Sequence, residues 1–270
     1  MLRPAVNLLE EVWRMRRVIW QLACQDLRNR YVGSTLGFVW TFIQPLVFTL
    51  ILWFVFSMAF RSSAIRGVPF AAWLLAGMVA WNFFAEGLVL STGVFHEYAY
   101  LVKKIQFRFA VLPLVKILSA LIVHAIFLVI VMGILLLCHI PISGYWLQTL
   151  YYMAGLTLLL LGLSWITSSL SVMLRDVGHL VNILLQFGFW LTPVIWDVRM
   201  LLPVPEWVRQ ALLLNPLCFI VEGYRHSLIE GIPFWRDGLA AGVFWGVTGI
   251  VLWIGGAVFR KLKPHLADLL

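Results

Sequence analysis

Glu86, Lys116 and His124 are ionisable side chains that interrupt long uncharged tracts of this sequence. An acid, a base and an imidazole at membrane depth are the raw material of a proton or ion relay. One acid and one base do not complete such a relay. The simpler reading pairs Glu86 with Lys116, or lets Lys116 reach the headgroups from near its helix end. Other candidate groups are scattered. The histidines, His96, His124, His139, His179, His226 and His265, have no ligand spacing, so no metal site is expected. Cys24, Cys138 and Cys218 are too far apart for a redox or zinc motif, and an odd number argues against a full disulfide framework. No G-x-x-x-x-G-K-[ST] phosphate loop, H-E-x-x-H or G-x-S-x-G motif occurs. The chain reads as a non-enzyme with no cofactor of its own.

Its aromatic residues offer a different chemistry. The sequence holds 19 Phe and 14 Trp. Trp13, Trp20, Trp146 and Trp196 lie near the ends of predicted spans, where interfacial belts form. Trp40, Trp165, Phe187, Phe189 and Trp190 face either lipid or a pore. A pore wall of rings suits sugar polymers, because ring faces contact C–H groups while hydroxyls stay wet.

The elements that must position these groups are apolar. Hydrophobic residues make up 62% of the 270-residue chain and charged residues 12%, with mean hydropathy +0.94. A soluble domain is about half apolar and a quarter charged, and these apolar runs reach the roughly 20 residues that a membrane helix needs. The fold class is an all-α integral membrane protein. The N-terminal "MLRPAVNLLEEVWRMRR" is no signal peptide, since Glu10, Glu11, Arg14, Arg16 and Arg17 occupy the place of an apolar core.

Six transmembrane helices are predicted. Tyr31 to Phe60 is the first and Gly67 to His96 the second. Ile117 to Leu174 carries no Asp, Glu, Lys or Arg and is long enough for two, broken at "CHIPISGYW" by Pro141 and Gly144. Val177 to Trp196 is the fifth and Gly238 to Phe259 the sixth. An even count places both termini on one side. Thirteen basic residues fall on that side, including Arg14, Arg16, Arg17, Lys103, Lys104 and Arg175, against six on the other. Both termini are therefore cytoplasmic. The net charge of +8 follows this topology, so no nucleic-acid partner is expected.

Two segments do not read as spans. Residues 1–30 form an amphipathic helix. Glu10, Arg14, Arg17, Gln21 and Arg28 lie on one stripe, with Leu9, Val12, Trp13, Trp20, Ala23 and Leu27 on another. It either lies in the membrane interface or anchors the first span. The segment from Asp197 to Asp237 is apolar for an external loop and is broken by Pro203, Pro205, Pro216 and Pro233. It reads as a re-entrant hairpin or as an amphipathic surface loop. In the elbow "NRYVGSTLGFVW", Gly33 and Gly37 permit a change of direction, and Ser34 or Thr35 can cap the new helix.

Four motifs occur in order: "RYVGSTLGFVWTFIQPLV", "MLRDVGHLV", "LTPVIW" and "NPLCFIVEGYR". Together they resemble the permease subunits of type-2 ABC exporters of lipid-linked surface polysaccharides, over nearly the whole chain. The resemblance implies a homodimer with two copies of a separate ATP-binding subunit, which binds ATP and Mg²⁺, in the bacterial cytoplasmic (inner) membrane. It implies a permease domain over 31–260 and a cytoplasmic tail over 261–270. Glu97, Tyr98, Lys103, Lys104 and Arg108, with Asp176 nearby, would contact the ATPase. The hairpin, about 197–237, with Pro193, Asn215, Pro216, Tyr224 and Arg225, would form the external gate. Trp40, Phe42, Phe187, Phe189 and Trp190 would line the channel along the first and fifth spans. Arg28, Arg30 and Arg175 at the cytoplasmic mouth would attract a polyprenyl-linked pyrophosphate, or simply anchor among membrane lipids. "RYVGSTLGFVW" is common to O-antigen exporters. "RGVPFAAWLLAG", "WNFF", "VEGYRHSL" and "HLADLL" look more like wall teichoic acid exporters, and the expected substrate leans that way. A stand-alone secondary transporter and a membrane-bound glycolipid enzyme are the rival classes.

Overall fold

The computed structural model describes residues 3–30, 32, 34–58, 64–65, 67–100, 109–197, 205, 208, 212 and 214–269. Nine α-helices occur among them. They are α1 (Arg3–Arg30), α2 (Trp40–Met58), α3 (Phe70–Thr92), α4 (Val94–Glu97), α5 (Leu112–Leu137), α6 (Thr149–Met173), α7 (Val177–Leu191), α8 (Pro216–Arg225) and α9 (Gly238–Leu269). A short antiparallel ladder, β1 (Ala64–Ile65) with β2 (Val68–Pro69), turns at Gly67 ahead of α3.

Among the described residues, five helical stretches are long and apolar enough to cross a membrane: Gly37–Met58, Phe70–Thr92, Leu112–Leu137, Gly144–Met173 and Gly238–Pro264. The helix within the predicted fifth span is shorter than that span. Helix α7 has 15 residues and stops at Leu191, because Pro193 disfavours helical backbone at the residue before it. Thr192 is accordingly extended, at φ −86° and ψ 137°. The last helix, by contrast, runs beyond the predicted span end at Phe259 to Leu269, with Pro264 inside it. The break between α5 and α6 lies where "CHIPISGYW" predicted it. His139 makes the reversal at φ +62°, and a 3₁₀ turn over Gly144–Gln148 starts the next helix.

Helix α3 is the hub, with 72% of its span buried inside the protein, while only 6% of the α2 span is. The core gathers Trp73, Met78 and Phe83 of α3 with Tyr152 and Leu160 of α6 and Phe244 of α9. Helices α6 and α9 approach through Gly162 and Gly255, where a Cβ on Gly255 would lie 2.3 Å from the Gly162 carbonyl oxygen. Such small-residue contacts replace the hydrophobic drive that is absent between helices in lipid.

Helix α1 docks on the start of α5 through Ile19 and Ala23 against Val115 and against Val111, the residue before α5. Trp13 and Trp20, predicted on its apolar side, remain exposed. In the elbow, the Ser34 hydroxyl accepts the Gly37 amide at 3.2 Å. Gly37 has φ +49°, a left-handed backbone that favours glycine. Tyr31 and Gly33 lie outside the described residues.

Candidate functional site

The bundle carries three local arrangements of chemical interest: a groove along its side and a polar cluster near each end. The groove has a volume of about 840 Å³ and runs between α2, α3 and α7. Phe189 lines it, with ring centroids 5.5 Å from Trp81, 5.9 Å from Phe48 and 5.6 Å from Trp190. Trp40 lines the same space, and Gln44, Asn82, Asn182 and Gln186 place carboxamides among the rings. Rings beside amides can contact the apolar and hydroxyl faces of a polar polymer together. Of the five sequence-predicted channel residues, Trp40, Phe189 and Trp190 line the groove. Phe42 packs instead against Phe38 at 5.2 Å, and Phe187 points outward, exposed.

At the end where α1 packs on α5, five charged side chains among the described residues form one network. Arg30 donates from Nη1 to Glu86 Oε1 at 2.8 Å, and from Nη2 to Asp26 Oδ2 at 2.7 Å and Ser119 Oγ at 2.7 Å. Lys116 Nζ bonds Asp26 Oδ1 and donates to Glu97 Oε2 at 2.5 Å. Glu86 and Lys116 therefore do not pair directly; Arg30 and Asp26 bridge them. Burial pushes the Asp26 carboxyl up, but hydrogen bonds from Lys116 and Ser119 and the charge of Arg30 outweigh it and hold the group below its ordinary range. Burial, reinforced by the negative charges of Asp26 and Glu97, pushes the Tyr98 hydroxyl well above its usual value, so it stays neutral.

The predicted cytoplasmic-mouth residues thus divide. Arg28 and Arg175 are exposed, whereas Arg30 is committed to the ion network. Asp176 is exposed beside Arg175. Glu97 is 54% exposed at its side chain, and Tyr98 is buried with Lys116 Nζ 5.3 Å from its ring centroid. His96 meets the Ser171 carbonyl at 3.0 Å, which ties α4 to the end of α6. Lys103, Lys104 and Arg108 lie outside the described residues. Sequence reasoning missed Asp26 and Ser119. The signal available was the i, i+4 spacing of Asp26 and Arg30 on one helix face.

At the opposite end, the five residues predicted as a gate come together. Asn215 caps α8 by accepting the Leu217 amide at 3.0 Å, and Pro216 starts the helix. The Asn215 amide also donates to Thr192 Oγ1 at 3.0 Å. Arg225, fully buried, donates to the carbonyls of Pro193 and Val194, each at 2.6 Å, and to Glu222 at 2.7 Å. Its guanidinium lies 3.3 Å from the centroid of Trp73. Tyr224 bonds His124 at 2.8 Å. Helix α8 is thereby clamped between the end of α7 and the start of α3. The preceding part of the predicted hairpin lies largely outside the described residues.

Residues 17–229 match the ABC-2 type transporter family. The chain belongs to that family of transporter permeases. The permease is also 26% identical over 260 residues to an O-antigen export system permease protein RfbA of Klebsiella pneumoniae, covering 91% of this chain and 92% of that protein. A protein of the same name from Myxococcus xanthus is 26% identical over 273 residues, covering 97% and 99%. These relatives give no support to the teichoic acid leaning. Much of "VEGYRHSL", one basis for that leaning, is buried in the α8 clamp: Val221, Tyr224, Arg225, Ser227 and Leu228 pack inside the bundle and cannot report on a polymer.

Proposed function

We propose that this permease is the membrane subunit of an ATP-driven exporter that moves a lipid-linked, O-antigen-type polysaccharide outward across the bacterial cytoplasmic membrane. The observation that carries this reading is the groove between α2, α3 and α7, whose rings and carboxamides suit a glycan, in a chain with O-antigen export permeases as relatives. The working unit is a homodimer with two ATP-binding subunits, which bind ATP and Mg²⁺. The substrate is carried on a polyprenyl pyrophosphate. Both termini are cytoplasmic, and α1 lies along the interface.

Helix α7, with the extended residues that follow it, makes the fifth of six crossings. Helix α8 is the inner arm of a re-entrant hairpin, and its clamp on Pro193 and Val194 holds the external gate. The end of α4, the adjoining loop and the Arg175–Asp176 turn meet the ATPase. Arg28 and Arg175 hold the pyrophosphate at the cytoplasmic mouth.

The test is reconstitution of the permease with its ATP-binding partner in proteoliposomes, followed by measurement of lipid-linked glycan transfer. Transfer is expected only with the partner and hydrolysable ATP. Transfer by the permease alone would make it a secondary transporter. Chemical turnover of the glycolipid without transfer would make it an enzyme. Either result would remove this reading.

A further inference from the structure

Glu86 is the only charged side chain among the described residues that line the groove. Its partner Arg30 is shared, because the same guanidinium also binds Asp26. Across the network, the carboxylates of Asp26, Glu86 and Glu97 face the two cations of Arg30 and Lys116. Among the described residues the network holds one carboxylate more than its cations match, and Glu86 is the member that lines the groove.

We infer that Glu86 makes the groove a charge filter, which accepts uncharged glycan repeats and disfavours repeats that carry phosphate or carboxylate. The inference rests on the reading of the groove as the glycan path. Gln44, Asn82, Asn182 and Gln186 can each donate and accept hydrogen bonds, which matches sugar hydroxyls without requiring charge. An anionic repeat in the same space meets a like charge and finds no cation among the described lining residues. Repulsion across a few ångströms in a medium less polar than water is strong enough to separate two otherwise similar polymers. The pyrophosphate of the carrier is excluded on the same grounds. It stays outside the groove, where Arg28 and Arg175 are exposed.

Glu86 is thus a specificity-determining residue, and its effect is measured as a ratio. The full-length permease, assembled with its ATPase partner in nanodiscs, is titrated with two end-labelled oligomers of equal length: a neutral oligoglucoside and an oligo(glycerol phosphate). At low salt the neutral oligomer is expected to bind about tenfold more tightly, an estimate from like-charge repulsion at intermediate dielectric. Glu86→Gln keeps an acceptor for Arg30 and is expected to narrow that ratio to less than about threefold. Gln186→Glu leaves the ion network intact, adds a second negative charge to the groove and is expected to widen it. Equal binding of the two oligomers by the unaltered permease, or a ratio that neither substitution moves, overturns the filter alone. Failure of both oligomers to bind overturns the glycan-path reading along with it.

Discussion

Lys116 and Asp26 are each almost fully buried and bonded to one another, with Arg30 a second cation for Asp26 and Glu97 a second carboxylate for Lys116. A buried pair owes less to net attraction than to the cost of leaving one member alone, which is about 3–5 kcal/mol when a single partner is removed. Lys116→Met is therefore expected to destabilise the permease, because buried Asp26 loses the ammonium and keeps only Arg30 and Ser119 as partners. Adding Asp26→Asn to that variant is expected to recover most of the loss, as read from thermal unfolding in detergent. Acid makes a second test of the same carboxyl. A folded-state pKa held below the ordinary carboxyl value of 3.8 gives stability that is fully present above that value and lost as pH falls through the folded-state value. Lowering the pH from about 5 to about 3 should loosen α1 from α5, as measured by hydrogen exchange over residues 19–30. The Asp26→Asn variant should lack the component due to this group.

Among the elements, α8 depends most on a close fit. Gly223 lies against the ring of Tyr152, and a Cβ there would fall 2.1 Å from the nearest ring carbon. Gly223→Ala must displace either the ring or the helix, an overpacking cost of about 1–3 kcal/mol. A shift of α8 would also pull Arg225 off the Pro193 and Val194 carbonyls. Lower thermal stability with faster hydrogen exchange across 216–225 is the expected result. The permease should respond less to Gly133→Ala, where a Cβ would meet nothing within 4 Å. This contrast also shows what the sequence could convey. Five of the six predicted spans were legible because uncharged length alone defines them, and the α5–α6 break because proline and glycine punctuate it. Pro193 divides the predicted fifth span, so its helical part stops at Leu191 and the remainder up to Trp196 is not helical. Asn215, Pro216, Tyr224 and Arg225 were recognisable as a motif. Their convergence on Trp73, Thr192 and the 193–194 carbonyls was not, because it depends on the tertiary approach of α3 and α7. Glu86 and Lys116 were likewise visible as isolated charges, but their bridge through Arg30 and Asp26 forms only when α1 folds back onto α5.

At the scale of the whole molecule, burial is uneven in a way that composition does not explain. The α2 and α3 spans are both apolar, yet one is scarcely enclosed and the other forms the hub. Helix α7 is similarly one-sided: Val181 and Phe189 face inward, while Leu180, Ile183, Leu184, Phe187 and Leu191 are exposed. Lipid can cover such faces, as can a second copy of the chain. Lipid coverage alone would not close the groove, whose two outer walls are α2 and α7, whereas a second copy would convert it into an enclosed path. In the proposed homodimer, then, the outer faces of α2 and α7 meet their counterparts, and the exposed side of α5 faces lipid. With Cys24, Cys138 and Cys218 replaced by serine, single cysteines at Phe54 or Phe187 are expected to cross-link the permease to itself in membranes. Cysteines at Val129 or Leu137, equally exposed on α5, are expected to remain monomeric under the same oxidant. Cross-linking through α5 instead would place the two copies back to back and leave each groove open to lipid. That outcome would remove the enclosed path on which a dimeric exporter depends.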